Sequence, residues 1–77
     1  MLRDCAKKIE GGQRDYQALE AAADAALVAA GLRTDYVHIC SRSTLLPATA
    51  ADRELVVLAA AWAGTTRLID NIQVESP

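Results

Sequence analysis

An apolar run followed by a tight glycine turn most constrains what this chain can fold into. Residues 55–63 (LVVLAAAWA) are apolar at every position, Gly64 and Thr65 form a two-residue turn, and residues 66–74 (TRLIDNIQV) return. This pattern predicts a β-hairpin whose first strand is central in a sheet and covered on both faces. The run is about half the length that a membrane-spanning helix needs, so we expect no membrane partner.

The turn also predicts which side chains share a face. If Ala63 faces Thr66, counting outward pairs every residue of the hairpin, and opposed residues lie on the same face. One predicted face is the core, with Asp70 as its one polar member. The other is mixed: it carries Trp62, Arg67, Asn71 and Gln73 together with the apolar Leu58 and Ile69. Trp62 and Arg67 are placed for a cation–π pair, and a one-residue bulge would exchange the two faces.

Two helices are predicted before the first strand. The apolar spacing of residues 2–9 indicates an amphipathic helix over 2–10 that ends at Gly11-Gly12 and has no N-cap. A longer helix begins after Asp15, an expected N-cap, and stops at Gly31.

A strand and a loop complete the pattern. Residues 34–40 (TDYVHIC) alternate, with Tyr36, His38 and Cys40 on one side. Residues 41–52 read as a loop with an apolar anchor at Leu45-Leu46. We therefore predict an α+β fold: a small two-layer domain with two helices packed on a three-stranded antiparallel sheet.

Composition excludes several functional classes. The 77 residues carry a net charge of −2 with scattered basic residues, which argues against nucleic acid and against a charged membrane surface. Two cysteines, Cys5 and Cys40, are too few for a disulfide framework and lack metal-ligand spacing, so we interpret both as small buried residues and expect no metal. Because no signal-peptide pattern opens the chain, we expect a cytoplasmic protein.

No complete active site can be assembled from these residues. Arg67 suits an anionic ligand, although a packed arginine at the hairpin end is the plainer interpretation. Asp70 is either catalytic or a buried carboxylate that accepts backbone hydrogen bonds, and we favour the second. His38 has no titratable partner in the pattern, and Gly11-Gly12 lies between two helices rather than in a phosphate-binding loop. We predict no catalytic residue, and the chain alone should be inactive.

Three segments resemble one enzyme family. LVVLAAAWAGTTRLIDNIQVE resembles the C-terminal end of the pantothenate synthetase (pantoate–β-alanine ligase) family, above all in its Thr-Arg-Leu-Ile-Asp-Asn run. EGGQRDYQAL resembles that family's Gly-(Glu or Gln)-Arg-Asp helix junction, and TDYVHICSRSTLLP resembles its Asp-Tyr-…-Thr-Leu segment. His38 and Ser41 depart from the family, which often has Glu and usually Asp there, so roles borrowed for that edge are in doubt.

The resemblance implies part of an ATP-dependent ligase. In that family pantoate attacks ATP to give a pantoyl adenylate, and the amine of β-alanine then displaces AMP to form pantothenate. ATP and Mg would serve the intact enzyme, with neither bound by this chain, because the family's nucleotide-binding motifs do not occur here. Residues 1–77 would be the C-terminal lid domain, and the N-terminal nucleotide-binding domain would be absent. The first helix starts in mid-pattern, which also predicts a piece of a longer protein.

The resemblance gives the mixed face a role. A lid must dock reversibly on a polar cleft, and the face with Trp62, Arg67, Asn71 and Gln73 is the expected interdomain surface. The alternative is a stand-alone protein-interaction or self-association module on the same scaffold. In either case the uncovered face predicts a homo-oligomer, a dimer or strand-mediated pairing, in concentrated solution.

Overall fold

Two helices precede three strands in the computed structural model, which describes residues 2–77. The helices are α1 (Arg3–Glu10) and α2 (Tyr16–Ala29), and the strands are β1 (Arg33–Ser41), β2 (Glu54–Ala63) and β3 (Thr66–Glu75). The strands form one antiparallel sheet in the order β1-β2-β3. In the second layer α2 contacts β1, and α1 contacts β3. The predicted α+β two-layer fold is confirmed.

The hairpin has the predicted register along its whole length. Ala63 pairs with Thr66, Trp62 with Arg67, and the pairing continues without a shift to Glu54 and Glu75. Gly64 has a φ of 62°, a left-handed conformation that a side chain would strain, so the turn depends on this glycine. The turn therefore sets which residues of β2 and β3 share a face.

The bounds of α2 follow from local chemistry. A side-chain oxygen of Asp15 accepts a hydrogen bond from the Ala18 N–H at 3.2 Å, which satisfies one free donor of the first turn. At the other end Gly31 takes a φ of 89° and stops the helix, as predicted. The N-cap position of α1 is Leu2, which offers no side-chain hydrogen bond.

The core lies between the helices and one face of the sheet. Ile9 of α1 and both Leu55 and Val57 of β2 are completely buried. Removing such a side chain from water stabilises the fold by about 1.5–3 kcal/mol. The same cluster includes Leu19 and Leu27 of α2, but no side chain from the opposite face of β2. The helices therefore cover one face of the central strand, not both as the apolar run predicted.

The loop after β1 is held by its backbone rather than by an apolar anchor. Leu45 and Leu46 are 62% and 64% exposed, so the expected anchor is wrong. Instead the Ser41 N–H donates to the Leu46 carbonyl at 2.9 Å, and the Ala48 N–H donates to the Ile39 carbonyl at 3.0 Å. These bonds lay the loop along the outer edge of β1.

Arg14 joins three distant parts of the chain. Its guanidinium donates to the Ala50 carbonyl at 3.0 Å and to the main-chain oxygen of Pro77 at 2.8 Å. The arginine of the α1–α2 junction thus fastens the β1–β2 loop and the end of the described chain. Within residues 2–77, neither helix is long and apolar enough to cross a membrane.

Candidate functional site

The face of the sheet that lies away from the helices carries all four predicted docking residues. We call it the open face. The registers place its side chains in rows across the three strands. From the turn outward the rows are Arg33–Trp62–Arg67, Tyr36–Ala60–Ile69, His38–Leu58–Asn71 and Cys40–Val56–Gln73, and Glu54–Glu75 closes the far end.

The open face has an apolar floor and a more exposed polar rim. Cys40, Val56 and Ala60 form the floor and are no more than 6% exposed, although no helix covers them. Val56 and Ala60 lie on the central strand with a strand on each side, and Cys40 on β1 has β2 on one side and Pro47 of the following loop on the other. The Ile69 side chain, in contrast, is 65% exposed on the outer strand. Apolar contact and hydrogen-bonding groups are therefore both available on one surface.

The cation over the tryptophan is not the predicted one. The guanidinium carbon of Arg33 lies 5.6 Å from the centre of the Trp62 ring. Arg67 instead donates to an Asp35 carboxylate oxygen at 2.8 Å. The predicted Trp62–Arg67 cation–π pair is corrected to an Arg33–Trp62 pair.

A bulge in β1 is the physical reason for this exchange. The pairing of β1 with β2 shifts between Thr34 and Tyr36, so that Asp35 has no partner on β2. The shift brings Arg33 opposite Trp62. Sequence reasoning missed both Arg33 and Asp35. The signal that was available is Asp35 itself, because aspartate is depleted in regular strands.

Charge is divided between the two ends of the open face. Arg33 and Arg67 lie at the turn end, and Asp35 is the counter-charge of Arg67. Glu54 and Glu75 face each other at the opposite end. The Arg67–Asp35 side chains are 40% and 42% exposed, so this ion pair contributes at most about 1 kcal/mol to stability. The pair orients Arg67 more than it holds the fold together.

His38 and Asp70 lie on opposite faces of the sheet. His38 is on the open face, where its ring stacks on Tyr36 with centroids 5.2 Å apart. Asp70 is opposite Ala59 on the helix-covered face, and its Oδ1 accepts the Asn71 N–H at 2.9 Å. Asp70 accepts a backbone hydrogen bond as expected, but it is only partly buried, so it is not the buried carboxylate that was predicted. The two groups cannot act on one substrate from opposite sides of the sheet.

Glu20 is a further residue that the sequence did not indicate. Its carboxylate reaches from α2 and accepts the Ile39 N–H at 2.8 Å, in a partly buried position on the outer edge of β1. No periodicity could have revealed it, since Glu20 follows Leu19 in an otherwise ordinary helical pattern. With the backbone of the following loop, Glu20 closes this edge of the sheet.

The two cysteines are buried free thiols, as predicted. Burial raises the pKa of the Cys5 thiol, and burial followed by the nearby Glu20 carboxylate raises the pKa of the Cys40 thiol. A raised pKa disfavours the reactive thiolate. In the part of the chain that the structure describes, no group of three or more His, Cys, Asp or Glu side chains is placed to hold a metal ion.

Comparison with known proteins supplies the family. The family profile described as Pantoate-beta-alanine ligase matches residues 1–73. The pantothenate synthetase of Thioalkalivibrio sulfidiphilus is 51% identical over 76 residues, which are 99% of this chain and 27% of that protein. The pantothenate synthetases of Pseudomonas fluorescens Pf-5 and Alkalilimnicola ehrlichii are 51% and 47% identical, each over 74 residues, 96% of this chain and 26% of theirs.

These matches confirm the resemblance drawn from the hairpin and from the Arg14-Asp15 junction. The chain spans about a quarter of the length of the curated relatives it matches. With a profile match over nearly all of its residues, the chain belongs to the pantoate–β-alanine ligase (pantothenate synthetase) family.

Proposed function

We propose that residues 1–77 are the C-terminal lid domain of a cytoplasmic pantoate–β-alanine ligase and that the open face docks on the enzyme's nucleotide-binding domain. The observation that carries the proposal is the uncovered sheet face, whose apolar floor and polar rim lie opposite a complete core of their own. A fold that needs only one face of its sheet for its helices has the other available for a partner. The unpaired thiols of Cys5 and Cys40 support a reducing compartment.

The chemistry of the ligase gives a lid its purpose. The intact enzyme would join pantoate to ATP as a pantoyl adenylate, and β-alanine would then displace AMP. An acyl adenylate is a mixed anhydride that water hydrolyses, so productive turnover requires a closed site while the amine arrives. A small rigid domain that docks and releases provides that closure without contributing a nucleophile.

ATP and Mg do not fit the residues of this chain. Gly11-Gly12 follows α1 and precedes α2 at a helix junction, where it forms no phosphate-binding loop. Residues 2–77 also offer no cluster of carboxylates for a divalent cation. Both ligands therefore belong to the nucleotide-binding domain in this proposal, and the lid acts on them only by excluding water.

Some of the proposed docking residues provide contact area, and others provide directional hydrogen bonds. Trp62 supplies the largest side chain of the face, and the Arg33 guanidinium over its ring limits its motion. Asp35 orients Arg67 at the rim, where a planar guanidinium suits a carboxylate or phosphate on the opposite domain. Asn71 and Gln73 add amide donors and acceptors further along β3.

A reconstitution assay tests the proposal. Pantothenate formation from pantoate, β-alanine and Mg-ATP would be measured with this chain, with a separately made nucleotide-binding domain of the Pseudomonas fluorescens relative, and with both. We expect the chain alone to be inactive, and its addition to raise turnover or to suppress AMP release without product. Failure of the two parts to bind or to change either rate would refute the docking role.

Substitutions then locate the surface. Trp62→Ala should weaken binding to the nucleotide-binding domain at least about tenfold, because a central aromatic side chain dominates such interfaces. Val28→Ala is the matched control, since Val28 is an exposed apolar side chain on α2, in the helix layer. Equal binding by both variants would place the interface elsewhere.

Self-association is the second candidate function. It is favoured by the exposed Leu68 and Ile69 side chains, which project from opposite faces of the outer strand β3 near its turn end. An exposed apolar pair on an edge strand favours contact with another chain. Sedimentation velocity from micromolar to millimolar concentration tests this function, and a strict monomer throughout would refute it.

A further inference from the structure

Leu45 has a backbone conformation that leucine rarely adopts. Its φ is 60°, and every other positive φ within residues 2–77 belongs to a glycine. In this left-handed region the Cβ of an L-residue crowds the following carbonyl oxygen, and only glycine, asparagine or aspartate enters it routinely. Strain of this kind persists where surrounding contacts fix it, and it is concentrated at functional segments. The β1–β2 loop therefore holds Leu45 in a conformation that its side chain disfavours.

Backbone hydrogen bonds on both sides hold this conformation. The Leu45 N–H donates to the Ser41 carbonyl at 2.8 Å, and the Ser41 N–H donates to the Leu46 carbonyl at 2.9 Å. The Leu46 N–H also donates to Oγ1 of Thr44 at 3.2 Å. The turn leaves both leucine side chains mostly exposed, so burial in this domain does not offset the strain. Asparagine would fit the same backbone with less strain, so a leucine here is explained by a contact that residues 2–77 do not supply.

The exposed leucines and the residue after them border the open face. We call Leu45, Leu46 and Pro47 the leucine tip. Pro47 forms an antiparallel bridge with Cys40 and so extends one row of the open face beyond β1. Beside the tip is a cavity of about 340 Å³ whose lining is mostly apolar. The lining residues are Glu20, His38, Ile39, Cys40, Leu45 and Pro47. An apolar projection and an apolar recess thus lie side by side on one continuous surface.

We infer that the leucine tip is a second anchor for the nucleotide-binding domain: the two leucines insert into an apolar recess of that domain, and the cavity beside them receives one of its apolar side chains. The inference rests on the proposed function, because it names where the lid and its partner interlock. Scattered exposed leucines need no explanation, but these two are consecutive and project from a strained turn beside an apolar cavity. About three quarters of each matched relative lies outside the region that this chain matches, which supplies a partner of sufficient size.

The leucine tip and Trp62 lie near opposite ends of the open face. Trp62 is in the row next to the turn, whereas Pro47 extends the row of Cys40, three rows away. Residues two apart on a strand are separated by about 6.6 Å, so the two anchors are roughly 20 Å apart. A single aromatic anchor would let a docked domain pivot about it, and a second anchor at that distance prevents the pivot. The tip therefore sets the orientation in which the lid closes.

Leu45→Asn separates docking from folding. Because asparagine accepts the left-handed backbone, we expect this variant to unfold at no lower temperature than the parent, with a Tm up to about 8 °C higher. Loss of the apolar contact should raise the Kd for the nucleotide-binding domain of the Pseudomonas fluorescens relative at least about tenfold. Leu45→Ala keeps the strained backbone, so it should lose affinity without the gain in Tm. Val28→Asn is the matched control, because it removes an exposed apolar side chain from α2 in the helix layer and should bind like the parent.

The outcomes distinguish this inference from the proposed function. If the parent binds and Trp62→Ala weakens binding while Leu45→Asn binds like Val28→Asn, the leucine tip is not an anchor and the open face still docks. If the parent does not bind a nucleotide-binding domain whose folding is confirmed by circular dichroism, both proposals are wrong.

A second copy of the chain is the other occupant to test. In sedimentation velocity Leu45→Asn should self-associate like the parent, and a loss of self-association without a loss of docking would overturn the inference. A lower Tm for Leu45→Asn would also overturn it, because Leu45 would then stabilise the fold of this domain itself.

Discussion

Arg14→Ala should destabilise this domain although the side chain is at the surface. Its guanidinium donates to the Ala50 carbonyl at 3.0 Å and to the Pro77 main-chain oxygen at 2.8 Å. A hydrogen bond from a charged donor is worth about 1.5–3 kcal/mol when shielded, and solvent exposure reduces each to about 0.5–1 kcal/mol. We therefore expect the loss of about 1–2 kcal/mol in the free energy of unfolding. For a chain of this size that is about 5–10 °C in Tm.

Urea denaturation followed by circular dichroism measures this change. Arg3→Ala is the matched control, because Arg3 is an exposed arginine at the start of α1. It should alter stability by less than about 0.5 kcal/mol. Arg14→Lys should fall between Arg14→Ala and the parent, since a lysine presents a point charge and cannot match the two-pronged geometry.

The dependence of stability on salt distinguishes the two Arg14 hydrogen bonds from an ordinary ion pair. The Ala50 acceptor is an uncharged carbonyl, whereas the Pro77 oxygen belongs to a carboxylate in the 77-residue chain, so raising ionic strength should weaken only part of the Arg14→Ala effect but most of the Arg67–Asp35 contribution. If Arg14→Ala lowers the free energy of unfolding no more than Arg3→Ala does, or if its effect disappears entirely in high salt, the Arg14 hydrogen bonds do not stabilise the fold as described.

Three other changes test the core, the covered edge and the thiols. Ile9→Ala should reduce unfolding free energy by about 2–4 kcal/mol and Ile9→Val by about 0.5–1.5 kcal/mol, because Ile9 is fully buried; equal small losses in urea titrations would contradict this packing. Glu20→Ala leaves the Ile39 N–H without its acceptor and should cost about 1–2 kcal/mol, whereas Glu20→Gln keeps an acceptor oxygen and should cost less; the reverse order would exclude the proposed bond. The raised pKa values of Cys5 and Cys40 mean that the native state binds more protons than the unfolded state above about pH 8.5, so their contribution to stability is present below that pH and lost as the pH rises further. Alanine at both positions should flatten the alkaline fall in urea midpoint, and an unchanged slope would contradict the assignment.

Local chemistry made most of the fold predictable. Two residues in the turn determine the register of the hairpin, so one glycine was enough to place every pair of β2 and β3. Asp15 and Gly31 marked α2 because caps act through groups a few residues apart. Apolar alternation likewise separated His38 from Ile39 on β1.

The errors lie where contacts between distant segments decide the outcome. The bulge at Asp35 changes which arginine meets Trp62, and no local pattern carries that information. Leu45 and Leu46 are exposed because backbone bonds to β1 already hold the loop. The continuous apolar run of β2 predicted cover on both faces, but the helices cover only one. On the other face, small side chains of this central strand are shielded by the neighbouring strands without a second layer. These are features of assembly rather than of any short segment.

The opposite charges at the two ends of the open face affect the association rate with a partner. With arginines at the turn end and glutamates at the other, this surface has an electric dipole along its strands. A charged cleft would rotate the domain toward one orientation before the surfaces touch, which raises the encounter rate and leaves the separation rate to short-range contacts. Lowering the ionic strength should therefore raise the association rate, while the dissociation rate stays nearly constant. In the proposed lid role, such alignment would shorten the closing step of each catalytic cycle.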